Sequence, residues 1–462
     1  MSFSSTIEKA FKTLLPAPFT IAVVLTILTM LLAFGFTSSE ASGINRVIEV
    51  FGFWEKGLWN APLLVFAMQM MLMLVLGHAL ALTKPIDSVI SYATRLCNNT
   101  ANAAAIVTFL TVLVALFNWG LGLIFGAILA RKVGEHAVKN DIELNYPLIG
   151  AAGYSGLMVW HGGISGSAPI KVAEEGHIQS LMSGIVSPEQ LALLPDPVSF
   201  SDTVFSSMNM VAVLLVVIVL PAFMFWMGKR SEHSAFLPLN KPDLELESID
   251  VTGAEKLDHS KFFGLGIGLI ISLYCVYLAF NIFPDKGFGF INPNYINLLL
   301  LGLCLLLHRS FFKFLKAIDQ AIGGASGILI QFPLYFGIMG IMNSSGLVQL
   351  FSDFFVSISN ETTFPIFTFF SAGIVNVFVP SGGGQWGVQG PIILQAASEL
   401  GVSIPKSIMA LAYGDQLTNM LQPFWALPLL GITGLKAKEI LPYTVALMGV
   451  GIVLFISVLL IF

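Results

Sequence analysis

The sequence predicts an all-α polytopic membrane protein made of two inverted repeats, each holding a re-entrant helical hairpin and a broken transmembrane helix. In total it predicts about nine crossings plus the two hairpins. Three observations predict this fold. Hydrophobic residues make up 56% of the 462-residue chain and charged residues only 11%, against about 25% charged in a soluble domain. The apolar sequence is interrupted twice in each half by stretches rich in Gly, Pro, Asn and Asp. Counting crossings from a cytoplasmic start also places the cationic residues predominantly on one side.

The elements follow in chain order. Met1 to Lys12 is short and polar and leads into an apolar run long enough to span, so it reads as the approach to a retained first helix and not as a cleavable signal. Hydropathy marks full spans near 17–37, 60–83, 203–228, 262–283, 295–308 (short), 322–343 and 440–462. Residues 102–132 are apolar on both sides of Asn118-Trp119-Gly120-Leu121-Gly122, and 363–398 on both sides of Pro380-Ser381-Gly382-Gly383-Gly384. Each arm has about 12–16 apolar residues, roughly 18–24 Å of helix, short of the ~30 Å hydrocarbon core. These are read as hairpins whose tips stop inside the membrane. The other breaks, His161-Gly162-Gly163-Ile164-Ser165-Gly166-Ser167-Ala168-Pro169 and Tyr413-Gly414-Asp415-Gln416 running on to Asn419 and Gln422-Pro423, interrupt single helices at 146–176 and 407–432. Residues 86–97 and 348–358 read as amphipathic arms at the interface. His177 to Asp202 reads as an external connecting loop.

These elements divide the chain into a first repeat (1–229), a cytoplasmic linker (230–260), a linking span (261–290) and a second repeat (291–462). One linking span inverts the second repeat relative to the first. The N-terminus is then cytoplasmic and the C-terminus periplasmic. Of the 22 Lys and Arg residues, only Arg46, Lys56, Lys171, Lys286 and Lys406 fall outside or in the breaks, the asymmetry of the positive-inside rule. The halves align at an offset of about 260 residues through the order of elements, with faint identity. The net charge of -5 is spread over short loops without a basic patch, so no nucleic-acid partner is expected. Cys97, Cys275 and Cys304 have no ligand or disulfide spacing. No Gly-x4-Gly-Lys-Ser/Thr motif is present, so no cofactor is expected, and energy comes from a gradient.

Irregular backbone inside a bilayer survives where it lines a cavity, and helix breaks in corresponding positions of two halves point to a carrier's binding site. Half-helix N-termini suit a carboxylate, and C-terminal carbonyls suit a cation. The candidate substrate-binding residues are Asn118, His161, Gly162, Gly163, Ser165, Ser167, Ser381, Gly382, Gly383, Gly384, Gln385 and Trp386. Asn118, Gly122, Ser381, Asp415 and Asn419 are the candidates for ion coupling, with a Na⁺ site near Asp415 and Asn419. Asp415 is an acid within an apolar segment, which marks function by default; a structural hydrogen bond is the alternative. His161 reads either as a ligand or as structural. Trp119, Trp160, Trp386 and Trp425 flank breaks and are candidates for pocket walls. Lys171 reads as an anion attractor or an interfacial lysine.

The same residues carry a family resemblance. The stretches Phe66-Ala67-Met68-Gln69-Met70, Gly77-His78-Ala79-Leu80-Ala81, Asn118-Trp119-Gly120-Leu121-Gly122, Gly163-Ile164-Ser165-Gly166-Ser167, Val379-Pro380-Ser381-Gly382-Gly383-Gly384-Gln385-Trp386, Ala412-Tyr413-Gly414-Asp415-Gln416 and Gln422-Pro423-Phe424-Trp425-Ala426-Leu427-Pro428 make the chain resemble the short-chain fatty acid transporter family of the AtoE type. Family members often read His before the tip Trp and Glu after Tyr-Gly; here these positions are Gln385 and Asp415, so the acid is kept and the imidazole is not. The resemblance implies uptake of acetoacetate- or butyrate-class monocarboxylates across the bacterial inner membrane. In organisation the chain is also similar to the wider ion transporter superfamily, which implies homodimers working by an elevator motion. Neither resemblance decides between Na⁺ and H⁺ as the coupling ion. A carrier or exchanger for another small anion on the same scaffold is the alternative. Gly163-Ile164-Ser165-Gly166 also matches the short pattern of intramembrane serine proteases, with His78 as the partner base, but such an enzyme needs no duplicated hairpins. A channel is a third reading, which trans-stimulation by preloaded substrate would separate from a carrier.

Overall fold

The computed structural model describes residues 16–183, 186–232, 253–286 and 290–462. The polar Met1–Lys12 segment and most of the 230–260 linker, including Pro238, Pro242 and the acidic run after it, lie outside the described residues. Among the described residues the chain is helical, and seven helices are long and apolar enough to cross a membrane.

Helix α1 (Pro18–Phe36) is followed by α2 (Ile44–Leu58), which hydropathy alone passes over. Its Arg46 donates to the Ala33 and Thr37 carbonyls at the end of α1, a cation placed where a helix C-terminus favours one. Helix α3 (Ala61–Ala81) and the short α4 (Lys84–Thr94) lead to α5 (Thr100–Phe117) and α6 (Trp119–Lys139), which turn sharply at Asn118. A Cβ on Gly122 would lie 2.6 Å from Ala115, so these arms are in backbone contact beside the turn. The arms have 18 and 21 residues, longer than the apolar stretches alone suggest. The polar ends, Thr100 and Asn102 on one side and Lys132, Glu135 and Lys139 on the other, continue the helices beyond the hydropathic segment.

The first broken helix is α7 (Tyr146–Tyr154), two 3-10 turns (Ser155–Met158 and Trp160–Gly162), an irregular stretch and α8 (Ser167–Val172). The following loop carries α9 (His177–Met182) and α10 (Pro188–Leu191). Next come α11 (Ser207–Arg230), α12 (Glu255–His259), α13 (Lys261–Lys286), α14 (Pro293–His308) and α15 (Phe311–Ala321). Helix α16 (Ser326–Ser344) takes α2 onto its face where Gly57 meets the Phe336 carbonyl and Gly337 lies under Trp54.

The amphipathic α17 (Leu347–Ser357) precedes α18 (Phe364–Phe378), the turn Val379-Pro380-Ser381, and α19 (Gly382–Leu400). The second broken helix is α20 (Ile404–Thr418), a 3-10 turn (Asn419–Leu421) and α21 (Pro423–Thr433), and α22 (Ala437–Ile461) follows. In each half a glycine lets the broken helix touch an arm of the bent pair. A Cβ on Gly126 would lie 2.0 Å from the Gly153 carbonyl, and one on Gly414 would lie 2.0 Å from the Phe369 carbonyl. Only a residue without a side chain permits that approach.

The 177–202 loop is more than a connector. Ile178, Met182, Leu194 and Val198 form one buried cluster with Trp386, Ile393, Leu394 and Ala397 of α19, so the loop is packed onto the outer arm of the second bent pair.

Candidate functional site

The first turn is sealed from within. Asn118 caps α6, its Oδ1 accepting from the Leu121 N–H, while its Nδ2 donates to the Ile291 carbonyl. The Trp119 N–H donates to Ser165 Oγ, and the Ile164 N–H to the Leu116 carbonyl. Asn118 and Ser165 therefore stitch the first turn to the first broken helix. Gly163 serves the same packing, since a Cβ there would lie 2.3 Å from the Leu116 carbonyl.

The first break then meets the second half. The backbone N–H groups of His161 and Gly162 both donate to Gln416 Oε1, at 2.8 and 3.1 Å. Asn209 Nδ2 donates to the Gly162 carbonyl, and the Tyr413 hydroxyl donates to Asn209 Oδ1. The breaks cross where Asn419 Nδ2 donates to the Leu157 carbonyl and the Tyr154 hydroxyl donates to the Asn419 carbonyl.

At this crossing, His161 Nδ1 lies 3.3 Å from Asp415 Oδ2, with both side chains buried. His161 Nε2 accepts from the Ala168 N–H. A nitrogen that accepts a hydrogen bond carries no proton, so the ring proton sits on Nδ1, facing the carboxylate. Neither facing atom has a conventional hydrogen-bond partner. The turn of the second bent pair covers the couple: a Cβ on Gly382 would lie 2.9 Å from His161 Cε1 and 3.2 Å from Asp415 Oδ2. The positive end of α19 thus rests against the carboxylate, a favourable arrangement. Ser381 Oγ caps that helix by accepting from the Gly384 N–H.

Asn376, which the sequence reading passed over, ties the arm to the break. Its Nδ2 donates to the Asp415 carbonyl and to Asn419 Oδ1, and its own carbonyl accepts from Gln422 Nε2. Asn376 Oδ1 and Gln422 Oε1 are buried without donors. Gln385 turns away, with Nε2 donating to the Ala372 carbonyl and to Gln389 Oε1. A polar residue four positions before a Pro-Ser-Gly turn was the signal for Asn376. Gln416 and Gln422 stood inside the motifs already noted.

Three of the four tryptophans converge. Trp119 lies 5.9 Å from Trp160 and 5.3 Å from Trp425, and Trp160 stacks on His161 at 4.4 Å. Trp386 points elsewhere, donating from Nε1 to His177 Nε2 at 3.0 Å. Gly383 is exposed, with only Ser167 near it at 4.0 Å. Lys171 is engaged with Glu174. His78 does not face Ser165; its Nε2 accepts from Arg131, which also donates to the Ile432 carbonyl near the end of α21. The serine-protease reading therefore lacks its base.

Burial, with a smaller push from Lys171, holds His177 below its ordinary imidazole range of 6.5, against the opposing charges of Glu174 and Asp196. Its neutral form accepts from Trp386. As pH falls through 6.5 the undocked loop takes up a proton before the docked one, so docking weakens toward acid. Amide exchange across 177–200 is expected to quicken, beyond its intrinsic change, between about pH 7.5 and about pH 5.5. His177→Gln should flatten that response, and unchanged protection in the native chain would refute it.

Helices broken within apolar sequence around a buried carboxylate and imidazole define a polytopic membrane transporter. The family model for short chain fatty acid transporters matches residues 2–462. The chain belongs to that family, and it is a transporter and not an enzyme. A protein of Escherichia coli (strain K12) named for short-chain fatty acid transport is 37% identical over 449 residues, 96% of each chain. One of Haemophilus influenzae with the same name is 37% identical over 93% of this chain and 92% of its own. The solved Alcanivorax borkumensis YdaH transporter covers 96% of this chain and 98% of its own at 16% identity, with a TM-score of 0.44, too slight a likeness to carry an argument.

Proposed function

We propose that the chain carries short-chain monocarboxylates of the acetoacetate and butyrate class across the bacterial inner membrane. Transport is coupled to Na⁺ or H⁺ and proceeds by elevator-type alternating access in a homodimer. The observation that carries this reading is the His161–Asp415 couple under the first turn of α19. A small carboxylate approaching Gly383 and Ser167 meets helix N–H groups and a hydroxyl, with the Trp119, Trp160 and Trp425 cluster alongside for a short acyl chain. Asp415 is the coupling group. It either exchanges a proton beside His161 or joins the donor-free oxygens of Asn376 and Gln422 in holding Na⁺, whose ligands are oxygens.

The first-arm crossings, Gly156 on Thr111 and Ala115 and Gly414 on Phe369 and Ala372, support reading the halves as inverted repeats with re-entrant hairpins at 102–132 and 363–398. The cationic asymmetry supports a cytoplasmic N-terminus and a periplasmic C-terminus.

The test is uptake of radiolabelled acetate, butyrate and acetoacetate into proteoliposomes under an imposed Na⁺ gradient, an imposed H⁺ gradient, or neither. Accumulation of at least one of these acids with one gradient and not the other is expected. Failure of all three under every condition would reject the substrate class.

A further inference from the structure

Away from the helix breaks, a cavity of about 850 Å³ opens where the start of α4, the end of α14 and the start of α15 meet α13. Lys84, Arg309, Lys313 and Lys316 line it together with His308. Among the described residues no Asp or Glu lines it. A neighbouring cavity of about 250 Å³ shares His308, Arg309 and Lys313 and adds Lys261.

Helix stability accounts for Arg309, at the end of α14, but not for Lys84 or Lys313. Lys84 is the first residue of α4, and Lys313 lies in the first turn of α15. Cations there oppose the helix macrodipole. Thr83, the residue before α4, makes no side-chain cap. Two positive helix ends thus converge with Lys84, Arg309 and Lys313 on one space, an arrangement suited to an anion with several oxygens.

The rest of the wall is apolar. Leu82, Leu265 and Leu306 face the same cavity, and the outer surface of α13 around it exposes Phe262, Leu265, Leu269 and Ile270. A free anion gains nothing from that surface, whereas a headgroup carrying acyl chains matches both parts. Basic pockets between membrane helices bind anionic headgroups in this manner.

We propose that this cavity binds a phosphate diester supplied as the headgroup of an anionic phospholipid, with its acyl chains lying along α13. The cavity joins helices fixed to one another at their ends: His308 Nε2 meets the Ala79 carbonyl of α3 at 2.9 Å, and Cys304 Sγ donates to the Leu76 carbonyl. A bound lipid therefore braces the α3–α14 pair and not the helix breaks.

Native mass spectrometry of the detergent-purified full chain tests this with dioleoyl phosphatidylglycerol, dioleoyl phosphatidylcholine and inorganic phosphate as probes. The phosphatidylglycerol adduct is expected to be retained preferentially over phosphatidylcholine. Lys84→Gln/Lys313→Gln should weaken it by about tenfold or more, the scale expected for two cations near an anionic group. Lys229→Gln/Arg230→Gln, at the distant end of α11, serves as the control and should leave it unchanged. Lys313→Gln alone, with a partial loss, covers the case in which the double variant is not monodisperse. Equal retention of the two lipids, or equal loss in the control, would overturn the site. Inorganic phosphate at millimolar concentration displacing the lipid completely would overturn the lipid source in favour of a soluble phosphate ester.

Discussion

Asp415→Asn is expected to abolish gradient-driven accumulation of short-chain acids while leaving the protein folded. The substitution keeps the shape of the side chain. His161 presents its Nδ1 proton toward Asp415, because its other ring nitrogen accepts from the Ala168 N–H. An asparagine carbonyl oxygen can still face that proton, as a weaker, uncharged acceptor. The Asp415 backbone carbonyl still receives Asn376 Nδ2, and Gln416 still holds the two N–H groups of the first break. What disappears is the charge, and with it the capacity to exchange a proton or bind a cation. Accumulation in proteoliposomes should fall by at least about tenfold, the effect of some 1.4 kcal/mol, with an unchanged size-exclusion profile. Exchange of preloaded for external substrate tests the step separately, because it needs substrate to cross and not the gradient to be used. Normal accumulation by the variant would remove Asp415 from the coupling role.

Asp415 and its imidazole partner were unequally visible in the amino-acid sequence. The position of each break was legible because Gly, Pro and Asn are costly in apolar helices and so mark where the helix stops. Asp415 was legible for the same reason. Its neighbour was not: His161 lies more than two hundred residues away, and only the crossing of the breaks near Leu157 and Asn419 brings the two together. Gly162 and Gly163 looked like places for a ligand to approach backbone. Their observed contacts are with Gln416, Asn209 and Leu116, and a glycine required by a neighbouring chain has the same one-letter signature as one required by a ligand. Helix α2 escaped hydropathy because it is amphipathic and buries its small face, Gly57, against α16. Trp386 shows the limit of proximity in sequence. It stands one turn from Gly382, yet its indole reaches His177 in a loop whose polar composition disguised a buried cluster.

Gly383→Leu is expected to block uptake without unfolding the chain, and its neighbours show why this glycine is the informative one. A Cβ at Gly382 would press on Trp160 and His161 at 2.8 and 2.9 Å, and one at Gly384 would lie 3.1 Å from the Ser381 hydroxyl that caps α19. Loss of activity at either position would report a disturbed turn. At Gly383 the first atom encountered is Ser167, at 4.0 Å, so a side chain enters open space. Leucine is also a better helix former than glycine by about 1 kcal/mol, and the variant should be no less stable in detergent. The leucine then occupies the gap between the second turn and the first broken helix, where a small carboxylate would reach the N–H groups of α19. Uptake should fall by at least about tenfold, equivalent to some 1.4 kcal/mol, with Gly383→Ala intermediate because it fills less of the gap. A melting temperature at or above that of the native chain, together with full uptake by Gly383→Leu, would show that the substrate does not pass between Gly383 and Ser167.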